Sequence, residues 1–412
     1  MNNRQSWNLT SKILFRFAFI FILSFILLKN NGAYPFFVVI VKPVISLFQH
    51  LPPWFAKNVL RYQYDYSIYT NGSGDTSYDW VSLLILLIVA ILGCAIWSIL
   101  DKKRSNYNRL YYYLTVFVRY YIAFMLINYG AIKLIHTQMP PPSLNRLMQP
   151  LHEMSPMGLA WTFFGFSKGY NFFMGIAEIM AVLLLFRRTV VLGALITMAT
   201  SINIMTVNYF YDVPVKMVST ALFLLSLFLL LPNIKSLFTF FVSGQATELI
   251  KIHKPTYTKK WINKTYLGLK ILFISLFALT QVSIFLNRPK MMAHYYKKSS
   301  LAGIYKIQHK GDNTKTIPND WSYIIFEYEG NAAIRDKYYQ NEQRDFVLDT
   351  KAKEITINKY KLDYSIQENG DIILTKSFPT GTEEVKLILQ KKDDMELMKR
   401  GFNLIQEYPY NR

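Results

Sequence analysis

Cysteine occurs once in the 412 residues, at Cys94. One cysteine excludes an intramolecular disulfide, a CxxC redox pair and a cysteine-ligated iron–sulfur cluster. Cys94 lies in the apolar run LLIVAILGCAIW, where a small buried hydrophobe is its simplest role. Acidic residues are scarce over the first 286 positions, eight against 25 basic ones. From Asn287 onward 18 acidic and 21 basic residues nearly balance, so the net charge of +20 belongs to the first part. The six histidines (His50, His136, His152, His253, His294 and His309) avoid the interiors of the long apolar runs. That excludes a bis-histidine haem inside a helical bundle. His136, His152 and Glu153 match no metal-ligand spacing, so they read as surface or interfacial groups. GxSxG, P-loop and GxGxxG motifs are missing. The basic surplus lacks the interleaved aromatics of a nucleic-acid reading surface, so no nucleic-acid partner is expected.

Long apolar runs are what the chain has instead. Seven segments have the length and composition of membrane spans: 13–28, 81–100, 110–133, 171–186, 189–208, 214–231 and 266–286. The first reads as a retained span, because no small-residue cleavage site follows it. Basic residues recur at alternate connections: Arg4, Lys12 and Arg16, then DKKRSNYNR, then Arg187 and Arg188, then KIHKPTYTKKWINK. The positive-inside rule predicts a cytoplasmic N-terminus and a C-terminus on the far side, the periplasm of a bacterial inner membrane. The external segment 32–79 carries a short, proline-broken apolar stretch expected to lie in the interface or dip partway into the bilayer, and NGSGDTSYDW reads as a loop. In the second external segment, 139–166, Leu144, Leu147, Met148 and Leu151 have helical spacing, which predicts a short helix over the bundle.

After Asn287 the pattern becomes short alternating runs cut by Gly, Asn, Asp and Pro. ENGD at 368–371 marks a hairpin. Residues 297–392 read as an antiparallel β domain, a meander able to close into a small barrel. A short helix and a tail with three aromatics, RGFNLIQEYPYNR, follow. That tail reads equally as a docking segment or as a strap across its own domain. Four divisions result: 1–109, N-terminal spans with an interfacial loop; 110–232, a four-helix bundle; 233–286, a basic linker and seventh span; 287–412, an extracytoplasmic β domain.

Ionisable groups inside membrane segments are costly and mark pathways, ligand sites or helix ties. Glu178 sits within the fourth segment, Arg119 and Lys133 in the third, Asp212 and Lys216 at the start of the sixth. Asn203 and Asn208 add neutral polar groups. Segment directions predict one polar site in the outer half of the bundle, with Lys133 or Lys216 meeting Glu178 and Arg119 deeper.

These residues resemble the DoxX-like membrane family, which includes the DoxD-type subunits. The pattern is an early Arg then Gly-x-x-Lys (Arg119, Gly130, Lys133), a Glu-bearing helix leading to an Arg turn (Gly175, Glu178, Arg188), and a helix opening with Asp and Lys (Asp212, Lys216). The likeness covers about 110–231. It implies a four-helix membrane core, in some members part of quinone-linked oxidoreductase systems. The family's glycine pair just after the Glu is absent from EIMAV. GIYKI and DFVLDTKAKEITI give the β domain a fold-level likeness to lipocalins. Two functions fit. One is the membrane subunit of a quinone-linked redox or envelope complex, with Glu178 handling protons or bonding quinone, and with electrons from a partner. The other is a non-catalytic binding, transport or assembly factor whose β domain recruits another membrane or periplasmic protein.

Overall fold

A computed structural model describes residues 6–34, 37–62, 74–252, 254–255, 257–308, 316–379, 381–407 and 409. His253, His309, the first part of the NGSGDTSYDW loop and the end of the C-terminal tail lie outside these. Helices α1 (Leu9–Leu28), α2 (Phe37–Phe48), α3 (Leu51–Asn58), α4 (Ser77–Leu100), α5 (Asn108–Leu134), α6 (Leu144–Leu147), α7 (Pro156–Phe166), α8 (Lys168–Ile179), α9 (Val190–Phe210), α10 (Lys216–Leu230), α11 (Ile234–Phe241) and α12 (Lys260–Tyr295) precede the strands. Among the described residues seven helical stretches are long and apolar enough to cross a membrane, each overlapping one expected from the sequence. The protein is therefore an α-helical polytopic membrane protein with a C-terminal β barrel. The proline-broken stretch after α1 forms the two short helices α2 and α3.

The chain divides into two compact units. The first combines residues 1–139 and 167–288. Its axis is α5, which is buried on every side from Val118 to Leu126, as a central helix must be. By contrast α12 buries only Phe277, which stacks on Phe124 at 4.0 Å between ring centroids. Arg16, read from the sequence as a flanking charge, is inside α1 and buried. It donates to the Tyr107 hydroxyl, Ser98 Oγ and the Asp101 carbonyl, so its charge is solvated by protein.

One expected span changes helix type along its length. After Ile179 the helix tightens into a 3₁₀ segment, Met180–Leu185. Runs of that length are uncommon because 3₁₀ hydrogen bonds are poorer. Here side chains and packing hold it. Arg119 Nε donates to the Leu184 carbonyl at 2.8 Å, and Thr189 Oγ1 donates to the Leu183 carbonyl at 2.7 Å. Gly193 of α9 also lets the 3₁₀ backbone approach: a Cβ there would sit 3.0 Å from Leu184 N.

The second unit joins residues 140–166 to 289–412. Eight strands form a closed antiparallel meander: β1 (Lys298–Gln308), β2 (Trp321–Tyr328), β3 (Asn331–Asp336), β4 (Asn341–Asp349), β5 (Glu354–Ile357), β6 (Tyr360–Ile366), β7 (Ile372–Phe378) and β8 (Gly381–Gln390). The short α13 (Glu396–Lys399) follows. Closure removes sheet edges, and inward residues such as Phe326, Phe346, Ile355 and Leu374 fill the interior. The 368–371 hairpin is present. Gly370 adopts φ +86° and Asp371 accepts from Leu389 N and Asn369 Nδ2. The Leu389 N–H, first among these contacts, holds the Asp371 carboxyl below its ordinary range.

The spacing-predicted short helix is present as α6 (Leu144–Leu147), and segment 140–166 packs on the barrel. Leu144 and Met148 cover Ile304, Ile325 and Ala333 on the outer face. Arg335 of β3, 1% exposed, fixes the segment. Its Nε and Nη2 donate to Asn145 Oδ1 at 3.1 and 2.7 Å, Nη2 donates to the Asn145 carbonyl, and Nη1 donates to the Tyr339 carbonyl. Glu153 Oε2 lies 3.8 Å away. Burial lowers the Arg335 pKa and Glu153 opposes that shift. Arg335→Met strips these acceptors of a charged donor, which costs about 1.5–3 kcal/mol per such bond at the upper end. The expected result is faster protease cleavage within 140–155 while the barrel core stays resistant. Cleavage at the wild-type rate would remove Arg335 from this role.

Candidate functional site

Two glycines set the central feature of the helical unit. A Cβ on Gly130 of α5 would lie 2.7 Å from the Gly175 carbonyl oxygen, and one on Gly175 of α8 would lie 2.9 Å from that of Gly130. The two backbones therefore touch where only hydrogen fits, as in membrane helix pairs built on small residues. Lys133 and Glu178 each stand three residues beyond their own glycine, on the contacting face. Lys133 Nζ donates to Glu178 Oε1 at 2.7 Å and Oε2 at 2.9 Å. Both side chains are buried, 7% and 3% exposed. The Tyr129 ring centroid is 5.9 Å from Nζ and adds a cation–π contact. The close approach is made by Gly175, three residues before the Glu.

The remaining expected residues do not join this pair. Lys216 Nζ bonds Asp212 Oδ1 at 2.8 Å instead of Glu178. Asp212 is 81% exposed and adopts φ +51°, so the pair is a turn feature of small energetic weight. Asn208 is buried and donates to the Val215 carbonyl at 3.3 Å, which holds the same turn. Asn203 is exposed. Arg119 caps the carbonyl end of the 3₁₀ segment, where a cation is favoured by the helix dipole. Segment direction alone had placed these groups in one site. Side-chain reach divides them into local contacts.

Sequence reading missed three acidic or basic contacts. Asp75 accepts from the backbone N–H groups of Lys216 and Met217 at 2.5 and 2.9 Å, capping α10 from a distant part of the chain. Asp79 pairs with Lys29 and completes a capping box with Thr76 at the start of α4. The pattern Thr-x-x-Asp at 76–79 was a visible signal for that box. Nothing local announced the partner of Asp75, which is 141 residues away.

No family model matches the chain, and no solved structure matches it. A 115-residue stretch, 27% of the chain, is 38% identical to the uncharacterized protein YwoB of Bacillus subtilis strain 168 and covers 71% of that protein. The chain belongs to the family of YwoB.

Proposed function

We propose that the protein is a DoxX-like integral membrane protein of the bacterial inner membrane. Its N-terminus is cytoplasmic and its barrel unit periplasmic. It works as a non-catalytic binding or assembly factor, and the barrel unit recruits another membrane or periplasmic protein. The observation that carries this reading is the closure of Glu178 on Lys133. A carboxylate held by two hydrogen bonds to a buried ammonium beside a glycine contact acts as a helix tie. A quinone-linked redox role asks the same carboxylate to exchange protons or meet a quinone oxygen, which means leaving that pair.

The C-terminal stretch supports recruitment. Phe402, Leu404 and Ile405 are 91%, 85% and 78% exposed, and Val347 of β4 and Ile366 of β6 are exposed on the barrel. Uncovered apolar groups of this size mark interaction surfaces. A photo-cross-linking residue at Leu404 in the full-length protein tests this in cells. One discrete cross-linked protein is expected, lost when Phe402 and Ile405 are changed to serine. A smear, or no product above that from a probe at exposed Lys351, contradicts recruitment through this stretch.

A further inference from the structure

A cavity of about 630 Å³ opens in the helical unit, walled by α1, α5 and the first half of α12. Its volume falls within the range of ligand sites, roughly 300–1,000 Å³. Among the described residues four cations line it: Arg119, Arg187, Lys254 and Lys270. Among the described residues no carboxylate does, and none of the four makes an ion pair. Arg119 is buried and uses one N–H on the Leu184 carbonyl, and a guanidinium has five. Arg187 Nη2 donates to the Ile252 carbonyl at 3.2 Å, which ties the segment before α12 to the cationic end.

Arg119 is buried while Arg187, Lys254 and Lys270 are exposed, so four like charges share one end of an apolar wall and repel one another. A bound anion supplies the missing counter-charge. The rest of the lining is apolar and aromatic, including Phe19, Leu23, Phe117 and Phe273. A free inorganic anion would leave that wall unused, and a neutral quinone would leave the charge uncompensated. The hydroxyls of Tyr113 and Tyr266 meet at 3.3 Å, with Tyr257 joined to Tyr113, beside the cations. Tyrosines with an apolar ring and a polar tip favour the headgroup level of a bilayer.

We infer that this cavity holds one anionic phospholipid, its phosphate against Arg187, Lys254 and Lys270 with Arg119 deeper, and an acyl chain along Phe19, Phe117 and Phe273. The inference is independent of the barrel's partner. Native mass spectrometry of the full-length protein in detergent tests it, with phosphatidylglycerol, phosphatidylethanolamine, a naphthoquinone and inorganic phosphate as separate probes. Preferential retention of one phosphatidylglycerol is expected. In the double variant Arg187→Gln/Lys270→Gln that retention should fall about tenfold or more. The charge-conserving pair Arg187→Lys/Lys270→Arg should keep it, and an unchanged melting temperature confirms that both variants fold. Equal retention of the two phospholipids, retention unchanged in the glutamine variant, preference for the naphthoquinone, or thermal protection by inorganic phosphate equal to that by the lipid each overturns it.

Discussion

Lys133→Met is expected to destabilise the helical unit by about 3–5 kcal/mol, because it leaves Glu178 buried without its counter-charge. Against the marginal stability of a folded chain that is a large loss. It should appear as a lowered melting temperature in detergent and as reduced protein in the membrane fraction. The reciprocal change, Glu178→Leu, should cost a similar amount by stranding the ammonium. The double variant Lys133→Met/Glu178→Leu removes both charges and fills the space with apolar atoms of similar volume. Such replacements are often neutral or stabilising, so it should recover most of the loss. Two single variants that melt like wild type would show that the pair contributes nothing to the fold.

The second large effect belongs to the glycine contact. In Gly130→Val the new side chain meets the Gly175 carbonyl oxygen, which is backbone and cannot rotate away. The helices must separate, and Lys133 then loses its hydrogen bonds to Glu178. Overpacking alone costs about 1–3 kcal/mol. Separation of the buried ion pair adds to that, so the variant should fall at or below the level of Lys133→Met. Gly175→Val should behave alike. Gly169→Ala is the matched control in the same helix, because a Cβ there meets nothing within 4 Å. Gly130→Val with wild-type stability would show that the backbones do not touch.

The helical frame was legible because a membrane span is a local property. Each of the seven stretches declares itself by about twenty predominantly apolar residues, as a bilayer of about 30 Å requires. The barrel was legible for the same reason, from alternating strands and turns such as ENGD. Lys133 and Glu178 were legible as possible partners because each is an isolated charge in an apolar segment, but Lys216 was as good a choice by sequence. What decides between them is the contact of Gly130 with Gly175, a relation between helices. The change to 3₁₀ after Ile179 was invisible for a similar reason. Its local sequence, MAVLLL, is an ordinary apolar helix, and the tightening is held by Arg119 and Gly193 from other helices. The attachment of residues 140–166 to the barrel depends on Arg335. Its one sequence trace is a strand, AAIR, apolar on both faces, as a covered outer face demands.

Complementation of a deletion strain by the double variant Lys133→Met/Glu178→Leu tests the central claim most directly. A helix tie can be replaced by apolar packing, whereas a carboxylate that handles protons or binds a ligand cannot. The variant is predicted to reach wild-type abundance in the membrane and to restore the wild-type phenotype. A variant that reaches wild-type abundance and melts normally, yet restores nothing, would contradict the account and return Glu178 to the chemistry of the protein.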